Sequence, residues 1–216
     1  MSQTTDIALA RRIMTVEFAR HLAGYARPIL FVSAMLAVGV VYYRVPIRDH
    51  FTGLWADHFD GGIETAIFEH WYNVVLGYSH WSTTNYFYPD KDGIGYNEGF
   101  FLYGLIYSVF RSLGYDMFVS GMLMDMAVKA IGFISFYLFV RDALSVRFAY
   151  ALLGAAIFTL GHAIFMHAFH QQLASVAFGP LIAYLAVRGY RALTGSRAHR
   201  YTLFCSAAAH STPAGF

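Results

Sequence analysis

The residues best suited to chemistry crowd into one short stretch. Residues 56–64, ADHFDGGIE, hold Asp57, His58, Asp60 and Glu64, and two glycines lead from them into a helical pattern. An aspartate just ahead of Gly-Gly and a helix is an ordinary N-cap, and the positive end of that helix favours the ionised carboxylate. Two other groupings carry charge or ligating nitrogen inside apolar runs. Asp125 and Lys129 are four apart, so they share a helix face and can pair there. His167 and His170, three apart, also share a face and could take a metal ion with loop carboxylates; simple interfacial histidines are the plainer reading.

The elements that must position these groups are mostly apolar. Of 216 residues, 57% are hydrophobic, 18% aromatic and only 13% charged, where a soluble domain carries roughly 25% charge. Sparse charge with long apolar runs indicates an all-α integral membrane protein. No basic patch interleaves with aromatics, so nucleic acid is not an expected partner. Membrane lipid is. The single cysteine, Cys205, excludes an internal disulfide framework and any multi-cysteine metal site.

The expected order begins with a cytoplasmic segment, 1–27, of which residues 6–22 form a basic amphipathic helix along the membrane face. A membrane domain covers 28–190, and a basic tail, 191–216, reads either as the start of a further span cut short or as a disordered end. The first apolar run, Pro28–Tyr43, reads as an uncleaved signal anchor. Four later runs are apolar enough to consider: Gly99–Phe110, Met117–Val140, Phe148–Phe169 and Leu173–Val187. If all cross, the five-span chain puts Arg141, Arg147, Arg188 and Arg191 outside, against the positive-inside rule. Gly99–Phe110 would extend only about 18 Å as a helix, too short for the bilayer core. Leaving it at the outer interface gives four spans, an extracytoplasmic loop over 44–116 and cytoplasmic arginines. That loop has four basic and nine acidic residues, a net of −5.

Inside the loop, Ile63, Ala66, Ile67, Trp71, Val74, Val75 and Tyr78 repeat at helical spacing, with Glu64, Thr65, Glu69 and Asn73 on the other side and Gly77 as a stop. This predicts a helix lying on a surface. Phe100–Phe110 predicts a second, and the aromatic, turn-rich stretch between them reads as an ordered loop carrying a site.

This order resembles the amino-terminal part of the membrane-embedded glycosyltransferase C superfamily, to which protein mannosyltransferases and aminoarabinose transferases belong. The matching stretches are DGGIE at Asp60–Glu64, the helix 63–78, GFFLYGLIYSVFRSLGYDMF at 99–118 and FYLFVRDALSVRFAYALLGAAIFTLGHAIF from Phe136. Asn97-Glu98-Gly99 stands where the family has a doubled proline. The family has more spans, so the chain is expected to be an amino-terminal half.

The resemblance implies transfer of a sugar from a polyprenyl-phosphate-linked donor to an acceptor at the outer face, in a bacterial inner membrane with the amino terminus cytoplasmic. The acceptor hydroxyl needs a base, and Asp60 is the implied carboxylate, with Asp57 next; the capping role can coexist. Glu64 would hold a metal ion or a hydroxyl, and a divalent metal is the one cofactor the resemblance allows. His58, His70 and His170 could meet the carrier phosphate. Lys91 is a loop cation for the same group, with Arg44 and Arg48, whose place beside a span suits snorkelling to lipid headgroups. Tyr88 and Tyr96, with Trp81 and Tyr86, could stack on a sugar ring or anchor the interface. Two other classes remain open: a transporter or flippase subunit, against which the absence of a repeat argues, and a non-catalytic assembly protein.

Overall fold

The computed structural model describes residues 25–52, 60–84, 89–96, 98–161 and 171–209. The amphipathic segment expected over 6–22 lies outside the described residues. Within them all regular structure is helical and no strand occurs.

Helix α1 covers Tyr25–Tyr42 and leads through Tyr43 into a short helix, α2 (Arg44–Arg48). Helices α3 (Asp60–Val75), α4 (Phe101–Ser112) and α5 (Met117–Leu138) come next, and a π turn, Phe139–Ala143, prolongs α5. Then come α6 (Phe148–Leu160), the single turn α7 (Gln171–Ala174), a 3₁₀ turn over Ser175–Phe178, and α8 (Gly179–Ala209).

Two of these are long and apolar enough to cross a membrane: Tyr25–Tyr42 and Met117–Ala143. They match the first and second crossings expected from the sequence. The third, expected over Phe148–Phe169, is helical as far as Leu160, and 162–169 lie outside the described residues. The fourth, expected as one run from Leu173 to Val187, is broken at the 3₁₀ turn before α8. Pro180 supplies the physical reason: it has no N–H to give to the preceding turn, and its ring suits the first turn of a new helix. α8 then continues past Arg188 and Arg191 to Ala209.

Helix α5 is the spine. Asp116 caps it, accepting from the backbone N–H groups of Phe118 at 2.8 Å and Val119 at 3.0 Å, and α3, α4, α6 and α8 all pack against it. Against α1 it runs antiparallel: the Phe31 ring lies 4.7 Å from Tyr137 and 5.5 Å from Phe133, and at the other end Tyr43 reaches Asp125. Gly132 lets the α7–α8 connection close in, since a Cβ there would stand 3.1 Å from Ala177 Cβ.

The sequence leads one to expect 44–116 as a loop with two helices on a surface. Instead α3 and α4 pack on each other and on α5, with Phe68, Tyr103 and Tyr107 in one core with Met124 and Val128. Helix α4 turns back through Leu113 and Gly114 (φ +94°) and lies antiparallel to the first turns of α5. The buried face of α3 also differs from the expected stripe. It comprises Glu64, Ile67, Phe68, His70 and Trp71, while Ala66, Val75 and Tyr78 are exposed. The stripe counts every carboxylate as solvated; packing on two helices rotates the inward face onto one of them.

One end of the bundle gathers arginines around a single aspartate. Asp142 in the π turn accepts from Arg188 at 3.2 Å, and Arg191 donates to the carbonyls of Asp142 (3.2 Å) and Ala143 (2.7 Å). Arg141 donates to the Val146 carbonyl at the same end, towards which the antiparallel register brings Arg27.

Candidate functional site

The most unusual group of side chains lies inside the bundle, where α1, α3, α4 and α5 meet. Asp125 is 0% exposed and Lys129 4%, and Lys129 Nζ lies 3.1 Å from Asp125 Oδ1. The Tyr43 hydroxyl, from the end of α1, donates to Asp125 Oδ2 at 2.8 Å. Both carboxylate oxygens therefore carry partners, and the ammonium stands 5.7 Å above the centre of the Tyr42 ring. Charges buried this deeply persist only when paired. The i,i+4 spacing supplies one partner and the α1–α5 packing the other.

Glu64, 4% exposed, faces the same region from α3. Tyr103 of α4 links the two carboxylates electrostatically: burial first, then the charges of Asp125 and Glu64, raise its hydroxyl well above the ordinary tyrosine value. It thus stays neutral beside the two acids. A centre with two buried carboxylates, an ammonium and several phenols can hold protons and polar ligands in an otherwise carbon-lined interior.

A second arrangement fixes α3 to α4. Arg111 makes a bidentate pair with Glu69, 2.9 Å to each oxygen, and the Tyr107 hydroxyl donates to Glu69 Oε2 at 2.6 Å. The guanidinium, more than the Tyr107 hydroxyl, holds the Glu69 carboxyl below its ordinary value of 4.5, against a partial burial that pulls the other way. Gly104 lies flat against Trp71, where any Cβ would overlap the indole, and Trp71 Nε1 donates to the Gly99 carbonyl.

The residues singled out from the sequence scatter around this framework. Asp60 is the first residue of α3. Asp57, His58, Tyr88 and His170 lie outside the described residues. His70 is buried and its Nε2 donates to the Trp81 carbonyl at 3.0 Å, so one ring nitrogen ties α3 to the loop beyond its end. Lys91 is exposed, and Tyr96, ending a 3₁₀ turn over Gly93–Tyr96, is 73% exposed. Of the expected set, Glu64 alone among the described residues joins the buried centre. Among the described residues no three of His, Cys, Asp and Glu converge as metal ligands.

Sequence reasoning does not connect Tyr43, Tyr103 and Glu64 with the Asp125–Lys129 pair. It also passes over a loop grouping in which the Ser82 hydroxyl donates to Asp92 and lies 2.8 Å from His80 Nδ1. The hydroxyl sits between imidazole and carboxylate there. A nucleophilic serine needs the imidazole in the middle, so this grouping pins the loop rather than activating it.

Among the described residues these features define an all-helical fold with two membrane-length apolar helices and a buried ionisable centre. The chain matches no family model, no curated protein and no solved structure.

Proposed function

We propose that this chain is, or forms part of, a membrane-embedded transferase that moves a sugar from a polyprenyl-phosphate-linked donor to an acceptor at the outer face of a bacterial plasma membrane. The observation that carries the reading is the burial of Glu64, one turn beyond Asp60 on α3. Its charge acts with that of Asp125 on Tyr103, while Phe68 of the same helix packs with Met124 and Val128 of the apolar helix that holds Asp125 and Lys129. An apolar protein keeps buried carboxylates where it must handle protons or polar groups. The helix that DGGIE opens is the one the glycosyltransferase resemblance marks out for the acceptor base. A carrier lipid cannot leave the bilayer, so its sugar must be met by carboxylates held against membrane-crossing helices.

In this reading α1 and α5 cross the bilayer, α6 and α8 contribute to the remaining two crossings, and the α3–α4 pair lies towards the outer side. The gathering of Arg141, Arg188 and Arg191 at the far end of α5 supports a cytoplasmic location for that end. Asp60 serves as base towards the acceptor hydroxyl, and Glu64 orients that hydroxyl.

Membrane vesicles carrying the full chain, supplied with polyprenyl-phosphate sugars and acceptor extract, test it. Asp60→Asn is expected to abolish transfer at unchanged membrane abundance, and Glu64→Gln to lower it about a hundredfold, the scale of a lost acid–base or orienting group. Full activity in both variants would remove these carboxylates from the mechanism. Labelling of single cysteines in a Cys205→Ala background tests the orientation: position 113 should react from outside and position 195 from the cytosol.

A further inference from the structure

We propose that the cleft between α1, α5 and α6 binds an uncharged long-chain amphiphile by its oxygen atom, with Lys129 as the donor. The cleft encloses about 270 Å³ and is lined by Met35 and Gly39 of α1, Met126, Lys129 and Phe133 of α5, and Thr159 of α6. Its lining is almost wholly carbon. Leu36 and Val40, which also line it, are more than half exposed, so the mouth opens sideways onto the apolar flank of α1 rather than towards an end of the bundle.

Beside the phenols of Tyr42 and Tyr43 and the Thr159 hydroxyl, the one charged group lining the cleft is the Lys129 ammonium. It is buried and contacts Asp125 Oδ1 as an ion pair, yet no acceptor completes a well-directed hydrogen bond to it. A buried charged donor left in this state is costly, and an oxygen placed in the cleft would recover that loss. Thr159, whose hydroxyl donates to the Ala155 carbonyl at 2.9 Å, makes no hydrogen bond to the ammonium either.

Charge and depth narrow the ligand class. Asp125 already balances Lys129, so an anion would bring an uncompensated charge into a dry site, whereas an alcohol or ester oxygen brings none. Lys129 lies about 18 Å along α5 from Met117, beyond the middle of a core roughly 30 Å thick. A phospholipid whose head stays at the surface cannot place its ester oxygens there; a molecule dissolved wholly in the bilayer can. The inference rests on the membrane reading of α1 and α5, not on sugar transfer.

The test uses the full chain in bilayer nanodiscs with three diazirine-bearing hexadecyl probes: the alcohol, the carboxylate and the plain alkane. The alcohol is expected to label peptides containing 35–39 and 126–133 about tenfold more than the alkane does, a ratio set by one hydrogen bond to a charged donor. Unlabelled hexadecanol should compete and palmitate should not. Gly39→Leu should abolish the labelling, because a Cβ at Gly39 meets nothing within 4 Å and the added carbons fill the cleft. Lys129→Met should reduce the alcohol to the level of the alkane. Equal labelling by alkane and alcohol, preference for the carboxylate, or labelling indifferent to Gly39→Leu would each overturn the proposal. Should Lys129→Met not fold, the three probes on the unaltered chain decide alone. Asp60→Asn should keep the labelling while losing transfer, which separates this inference from the transferase reading.

Discussion

The Tyr43 hydroxyl reaches across 82 positions of sequence to donate to Asp125 Oδ2 at 2.8 Å, tying the end of α1 to the middle of α5. Tyr43→Phe removes that donor and leaves the ring in place. The loss should be about 1–3 kcal/mol, the cost of depriving a buried carboxylate of one partner. Unfolding in detergent against denaturant measures it, and an unchanged midpoint would mean the contact contributes nothing.

Asp125 and Lys129 should behave as a unit. Asp125→Asn alone strands a buried ammonium and should cost about 3–5 kcal/mol, whereas Asp125→Leu with Lys129→Met should recover most of that loss. A double variant as unstable as the sum of its single changes would show that the two charges do not interact.

The Glu69–Arg111 clamp makes the α3–α4 contact sensitive to acid. The folded value of Glu69 lies below its ordinary 4.5, so the unfolded chain takes up the proton first as pH falls. The clamp's contribution is complete above about pH 4.5 and is lost as the pH drops through the lowered folded value. Protection of α3 amides, the exchange rate taken relative to the intrinsic rate at each pH, should therefore fall in acid for the natural chain. In Glu69→Gln it should be lower near neutrality and nearly flat across the same range; identical profiles would contradict the assignment.

Gly104 and Gly62 separate packing from helix propensity. At Gly104 an added methyl overlaps Trp71, and Gly104→Ala should destabilise by about 1–3 kcal/mol or more. At Gly62 an added methyl meets nothing within 4 Å, and Gly62→Ala should stabilise α3 by up to about 1 kcal/mol. Parallel thermal melts compare the two, and equal shifts would count against the close approach of α3 and α4.

Much of this framework can be read along the chain. The length and apolarity of α1 and α5, the Asp116 cap and the four-residue spacing of Asp125 and Lys129 are all local properties. So is the break before α8, since Gly179-Pro180 stands in plain view inside a run that hydropathy reads as continuous. Which face of α3 turns inward is not local. Periodicity ranks side chains by polarity, and Glu64 is buried because two helices close over it. The partners of Asp125 and His70 are equally invisible, for Tyr43 and the Trp81 carbonyl come to them only through tertiary packing. Asp57, His58, Tyr88 and His170 keep the standing that their residue types and spacing confer.

The π turn Phe139–Ala143 carries one residue more than an ordinary helical turn, which swings the chain beyond it by about 100° relative to an unbroken α-helix. That swing is what presents Asp142 and the Ala143 carbonyl to Arg188 and Arg191. The latch between α5 and α8 consequently depends on a count as much as on chemistry: excising a single residue here would leave every partner present and turn the keyhole away from the key.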